Sequence, residues 1–316
     1  MPQIQETQST FFALKSFAKI NLFLSVQGKR ADGYHDLVSL VQAIDLHDTL
    51  EFSPLPSGII VKTDQPELQS SEDNSIYKAL QKLSREYGIT FGIQVKLTKR
   101  IPLASGLGGG SSNAATALWG GSRHWGLAQP VAELSRMGAE IGSDVPFFFS
   151  SGQAVLRGRG EVVEPVPLFA DYWVVVVYPG FGIGTRWAYQ ELDFSRHESV
   201  HPGLTPVPGG GYLSNLETKE GFVALLSGFA NDFEPAVARA YPVIGQIKQA
   251  FVDSGAVFSS VTGSGSALFG IFLDQPVEQE ITRRLQVLSE YRKPNPWQVI
   301  VTRPVIAAGP VCASPG

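Results

Sequence analysis

One stretch limits what this chain can become: Pro102-Leu-Ala-Ser-Gly-Leu-Gly-Gly-Gly-Ser-Ser-Asn-Ala-Ala115. Gly106, Gly108, Gly109 and Gly110 crowd into it. Just before it, Ile93, Val95 and Leu97 alternate with polar residues, the period of a half-buried strand. Just after it, Asn113 to Trp119 is rich in helix formers, and Ser111 or Ser112 is placed to cap the first turn. The predicted order is strand, glycine loop, helix.

That order has a chemical meaning. The first amides of a helix have no partner within it, and its dipole makes that end positive. Glycines let the loop turn sharply and come close to a bulky polyanion. A phosphate suits such a place. A flexible hinge would need neither the paired serines nor an alanine-rich helix directly behind them.

Two common phosphate loops do not fit. A Walker A loop needs a lysine followed by Ser or Thr after its last glycine, and none follows here. A dinucleotide fingerprint needs an acidic residue roughly 20 residues on, at the end of a second strand. That region reads Ser122-Arg-His-Trp-Gly126 and then a further helix.

With 316 residues the chain has room for two domains, and 43% hydrophobic with 17% charged residues is an ordinary globular balance. A net charge of −4 argues against broad binding of nucleic acid or anionic membranes, so a polyanionic ligand needs a local pocket. The single cysteine, Cys312, cannot form an internal disulfide. The most apolar run, Tyr172–Tyr178, is far short of the ~20 residues of a helical membrane span. Met1 to Thr10 lacks the regions of a signal peptide, so a cytoplasmic protein is expected. No pattern in the chain sets an oligomeric state.

Phe11–Gly28 reads as two strand pieces, followed by strands over 37–46 and 48–52 and a helix over 72–87 with Ile76, Leu80 and Leu83 on one stripe. Helices over 113–125 and 131–141 follow the glycine loop, and strands over 153–157 and 161–166 flank a Gly158-Arg-Gly160 turn. Beyond Pro165-Val-Pro167 the pattern is strand 172–178, helices, strand 256–261, strand 267–272, helix 277–291 and strand 297–302. This βαββαβ order is the ferredoxin-like plan. A proline- and glycine-rich loop over 201–211 interrupts it.

Several residues invite chemistry. Asp144 precedes three phenylalanines, and a carboxylate beside such a wall is paired or functional, unless it only closes a helix-end turn. Lys19 lies among apolar strand residues, where it either snorkels or pairs with a carboxylate such as Asp144. Tyr34 and His35 offer an aromatic face and a donor–acceptor ring, which suit a pyrimidine, although such pairs also decorate polar loops. In isolation Asn74 reads as a helix cap and Lys99 as a solvated charge. Val261-Thr-Gly-Ser-Gly-Ser-Ala267 holds more glycine than a plain hairpin needs.

The glycine stretch resembles the Pro-x-x-x-Gly-Leu-Gly-Ser-Ser loop of the GHMP kinases, which include galactokinase, homoserine kinase and mevalonate kinase. Its Gly-Leu-Gly-Gly-Gly-Ser-Ser-Asn-Ala-Ala form resembles the branch whose acceptor is a cytidine diphosphate sugar alcohol. Three further motifs agree, in family order: Ala18-Lys-Ile-Asn-Leu22, Gly142-Ser-Asp-Val-Pro146 and the 261–267 turn.

The resemblance implies an α+β, two-domain GHMP kinase fold. A ribosomal-protein-S5-like α/β domain would cover residues 1–167 and a ferredoxin-like domain residues 168–316. It implies an ATP-dependent phosphotransferase with an alcohol acceptor, Lys19 and Asp144 being catalytic. ATP would be held by Pro102, Gly106, Leu107, Gly108, Gly109, Gly110, Ser111 and Ser112, with Asn74 and Lys99 at the adenine. Asn21, Tyr34, His35, Tyr189, Thr262 and Gly263 would contact the acceptor. The family commonly has proline before the threonine of the 180–185 segment, where this chain has Gly184. Mg2+ would be bound mainly through ATP, with no protein ligand identified. The alternatives are a homoserine- or mevalonate-type kinase and a non-catalytic ligand-binding relative. Asn231-Asp-Phe-Glu-Pro235 also matches the family, as structure.

Overall fold

Two long strands carry the first part of the chain. The computed structural model describes residues 11–65, 68, 73–198, 215–276, 278–286, 297–307, 311–313 and 315. In it β1 (Phe12–Lys29) and β2 (His35–Leu55) pair antiparallel almost end to end. The sequence reads them as shorter pieces because register shifts between Phe17 and Ala18, Asn21 and Phe23, and Val26 and Gly28 interrupt the alternation. β3 (Ile59–Thr63), not predicted, precedes α1 (Ser75–Tyr87), β4 (Gly92–Thr98), α2 (Gly109–His124) and α3 (Val131–Ala139). A 3-10 turn over Pro146–Phe149 leads to β5 (Gln153–Arg157) and β6 (Val162–Pro165).

These six strands form one sheet in the order β3-β4-β2-β5-β6, with β1 also on β2. The predicted stripe of α1, Ile76, Leu80 and Leu83, is fully buried against Phe52, Leu118 and the other residues of the first core. Phe147, Phe148 and Phe149 all enter that core, as their run suggested.

The second half supplies β7 (Trp173–Tyr178), α4 (Thr185–Glu198), α5 (Lys219–Leu226), α6 (Glu234–Ala240), α7 (Val243–Asp253), β8 (Phe258–Val261), β9 (Leu268–Phe272), α8 (Glu278–Gln286) and β10 (Gln298–Thr302). Its sheet runs β10-β7-β9-β8 with antiparallel neighbours, which is the ferredoxin-like order. The 201–211 loop, residues 1–10 and the ends of the predicted 277–291 helix lie outside the described residues.

β1 is the wall between the halves. Phe17 faces the first core, while Ile20, Leu22 and Phe23 join Tyr172, Phe222 and Phe269 in a second, and Leu24 and Val26 join Val177 and Phe233 in a third. The tail then returns to the first sheet. Val305 N–H donates to Ala43 O at 2.8 Å, and Val311 and Cys312 are buried in the first core, where burial pushes the thiol pKa up. A division at 167/168 therefore gives the second unit a tail that packs on the first.

Candidate active site

The loop behind β4 is built on backbone proximity. Gly106 and Gly108 have φ of +82° and +73°, where a side chain is strained. A Cβ on Gly106 would stand 2.0 Å from Thr262 O, and one on Gly108 2.9 Å from Lys19 Cγ. α2 starts at Gly109, earlier than expected, and its N-cap is Gly108 with no side-chain cap. Ser111 and Ser112 therefore lie inside the first turn and do not cap it. The backbone from Gly108 to Ser111 borders an open cleft of about 1110 Å3, presenting an uncapped helix N-terminus to it.

A buried ion pair holds this loop from below. Lys99 Nζ donates to Asp48 Oδ2 at 2.6 Å and to Ile101 O at 2.7 Å. The other oxygen of Asp48 accepts from the amides of Arg100 and Ile101 at 2.7 and 2.8 Å. Asn113 Nδ2 donates to Asp48 Oδ2 at 3.0 Å and to Ser16 Oγ at 2.8 Å, and Ser16 Oγ donates to Ser112 Oγ at 2.8 Å. Burial pulls the Lys99 pKa below its ordinary value, with Asp48 opposing. Asp48 was not predicted. It sits in phase with Leu46, Leu50 and Phe52 on the buried face of β2, a signal the alternation carries.

At the middle of the cleft Lys19 Nζ lies 3.4 Å from Asp144 Oδ2 and donates to Asn21 Oδ1 at 2.6 Å. The lysine side chain is 5% exposed and the aspartate's 36%, so the carboxylate is the part open to a ligand. Asn21 Nδ2 donates to Ser39 Oγ at 2.8 Å, and the Asn21 amide donates to Thr262 Oγ1 at 3.1 Å. Asn231 ties down the second glycine turn, its amide donating to Val261 O and Gly263 O, each at 2.8 Å. The two turns thus meet over Lys19.

At the far end His35 stacks on Tyr189, ring centres 4.6 Å apart, and His35 Nε2 donates to Asp193 Oδ1 at 2.8 Å. Lys29 Nζ reaches the other Asp193 oxygen at 3.2 Å. Burial opposes ionisation of Asp193, but the hydrogen bonds from His35 and Lys29 outweigh it and hold the carboxyl below its usual range. Burial, with Asp144 nearby, pushes the Tyr189 phenol up to about 12. Tyr34 is 55% exposed, with the Arg159 guanidinium over its ring.

The cleft brings together Lys19, Asn21, Tyr34, His35, Lys99, Pro102, Gly106, Gly108, Gly109, Gly110, Ser111, Asp144, Tyr189 and Gly263. Four expected residues are off its wall. Leu107 and Ser112 are buried, and Thr262 is buried as a strut between Asn21 and Gly106 O. Asn74 caps α1, accepting from Ile76 N–H and donating to Leu68 O, so both ends of its amide are used. Asp193 and Arg159 are cleft residues that sequence reasoning missed. Tyr189 and Asp193 stand i,i+4 on α4, spacing that puts both on one face. Among the described residues no three His, Cys, Asp or Glu side chains gather as a metal site.

Residues 74–152 match the GHMP kinases N terminal domain, and residues 216–287 match the GHMP kinases C terminal family. A 4-diphosphocytidyl-2-C-methyl-D-erythritol kinase of Thermodesulfovibrio yellowstonii is 41% identical over 263 residues, 82% of this chain and 88% of that one. The chain belongs to the 4-diphosphocytidyl-2-C-methyl-D-erythritol kinase family of the GHMP kinases. A crystal structure of a kinase of this family superposes with a TM-score of 0.72 at 26% identity, covering 92% of this chain and 99% of that one. Homoserine kinase from Cytophaga hutchinsonii, at 18% identity and a TM-score of 0.70 over 96% of this chain and 97% of its own, shares the fold. Among the described residues, no helix is long and apolar enough to cross a membrane.

Proposed function

We propose that this chain transfers the γ-phosphoryl group of ATP to the 2-hydroxyl of 4-diphosphocytidyl-2-C-methyl-D-erythritol, in the non-mevalonate route to isoprenoids, and that it does so in the cytoplasm. The observation that carries the reading is the position of the Lys19–Asp144 pair. It stands in one cleft between an amide-lined glycine turn and an aromatic–imidazole end. The activity of the relatives points the same way.

Phosphoryl transfer asks a protein mainly for positioning and charge stabilisation. The amides at Gly108 to Ser111 take the phosphate tail of ATP. Asp144 accepts the hydrogen bond of the acceptor hydroxyl and, as the phosphoryl group transfers, its proton. Lys19, held by Asn21, keeps that carboxylate aimed. Tyr34 and His35 take the cytosine ring. Bound together with ATP, Mg2+ would supply charge neutralisation, and Ser111 on the cleft wall would be the residue to hold it.

ADP release, measured by a coupled assay with the cytidyl acceptor, homoserine and mevalonate in turn, tests the reading. Turnover is expected with the cytidyl acceptor alone. Preference for homoserine or mevalonate would make this a small-alcohol kinase, and no release with any of them would make it a ligand-binding relative.

A further inference from the structure

The Gly158-Arg159-Gly160 turn between β5 and β6 has no part in the chemistry above, yet it touches the middle of the cleft at Asp144 and its far end at Tyr34. A Cβ on Gly160 would lie 3.3 Å from Asp144 Oδ1 and 3.5 Å from Ser143 Cβ. The guanidinium carbon of Arg159 stands 4.9 Å from the centre of the Tyr34 ring. Gly158 O accepts from Leu37 N–H at 2.7 Å, which fastens the turn to β2 two residues beyond His35. The turn that carries Arg159 thus runs from the carboxylate that meets the alcohol to the ring that meets the base.

In the acceptor named above, that interval is a diphosphate. It has to pass between the two ends, and it carries negative charge that a chain of net charge −4 does not attract globally. Most of the cations on the cleft wall are already committed. Lys19 is held by Asn21 and Asp144, Lys29 by Asp193, and Lys99 by Asp48 and Ile101 O. Arg186 lies exposed at the start of α4, on the other bank.

Arg159 is oriented by an ion pair with Glu161 that leaves its terminal amino groups open. Its Nε is 3.6 Å from Glu161 Oε1, beyond hydrogen-bond length, while Glu161 Oε2 accepts the Arg159 backbone N–H at 2.6 Å. Among the described residues no hydrogen bond engages its terminal amino groups. The Tyr34 ring supports the guanidinium plane, and that plane is shaped for phosphate oxygens. Asp32, also on the cleft wall, is held by Arg30 and by the Tyr34 backbone N–H.

We infer that Arg159 binds the diphosphate bridge of the acceptor, so that the cytidine end and the alcohol end are held in register across the cleft. The inference rests on the proposed activity. It adds a residue that reads the charged linker to those that read the base and the hydroxyl.

Competition against the acceptor by CDP and by cytidine, in wild type and in Arg159→Ala, tests it. Loss of a charge-assisted contact should raise the Ki of CDP roughly 10- to 100-fold. The Ki of cytidine and the KM of ATP should stay within about 2-fold, since neither depends on that contact. Arg159→Lys should recover part of the loss, keeping the charge without the fork. Equal weakening of CDP and cytidine would overturn the inference, because Arg159 would then act through Tyr34. An unchanged Ki for CDP, or a selective loss found in Arg186→Ala instead, would overturn it too. If wild type turns over the cytidyl acceptor in those cases, the inference alone has failed. If wild type neither turns it over nor binds CDP, the proposed activity has failed first.

Discussion

A Cβ built on Gly106 would stand 2.0 Å from the carbonyl oxygen of Thr262. The glycine loop before α2 and the second glycine turn, 156 residues apart in sequence, are therefore in backbone contact beside Lys19. Gly106→Ala has to move one turn or the other and also strains a φ of +82°. It should raise the KM for ATP and lower Tm. Gly245, exposed in α7 with open space around it, is the contrast. Gly245→Ala should stabilise by about 0.5–1 kcal/mol and leave kinetics alone. Thermal melts and ATP titrations of both variants check this; a Gly106→Ala enzyme with wild-type KM and Tm would deny the contact.

The buried Asp48–Lys99 pair predicts an asymmetric cost. Asp48→Ala strands an ammonium 5% exposed and also frees the amides of Arg100 and Ile101. Removing one partner of such a pair costs about 3–5 kcal/mol. Denaturant unfolding measures it, and a loss under 1 kcal/mol would show the network to be incidental.

His35→Ala should lower kcat/KM for the cytidyl acceptor roughly 10-fold or more while the KM of ATP is unchanged, because His35 lies at the far end of the cleft from the glycine turn. Steady-state kinetics with each substrate varied decides. A wild-type kcat/KM would remove the base-reading role.

Asp193 gives a pH dependence with a definite sign. Its folded pKa lies below the ordinary 3.8 because hydrogen bonds from His35 and Lys29 outweigh burial. Its stabilisation is complete above 3.8 and fades as pH falls through the lowered folded value. The Tm gap between wild type and Asp193→Asn should be flat above pH ~5 and shrink in acid. A gap that widened in acid would contradict the ion-paired assignment.

How much of this was legible in the sequence depends on range. The strand–glycine–helix order at 92–124 and the βαββαβ order of the second half came from local periodicity and turn chemistry. Lys19 and Asp144, 125 positions apart, were joined by motif order and by the need of a buried charge for a partner. The register shifts in β1 erased its alternation, so one strand read as two. Ser111 and Ser112 misled as caps because Gly108, at positive φ, starts the helix without a side-chain cap. Asn74 shows the reverse: its plain reading as a cap is what the geometry displays. Asp193 escaped because its partner His35 is 158 residues away and only the i,i+4 spacing with Tyr189 hinted at a shared face.

The most direct test of the whole account is the kinetics of Asp144→Asn. This substitution keeps the shape of the side chain and removes the charge that faces Lys19 across 3.4 Å. With binding residues intact, the KM for ATP and the Ki for CDP should stay near wild type while kcat falls by about 10²–10⁴. A kcat within about 3-fold of wild type would mean that this carboxylate neither aims the alcohol nor takes its proton.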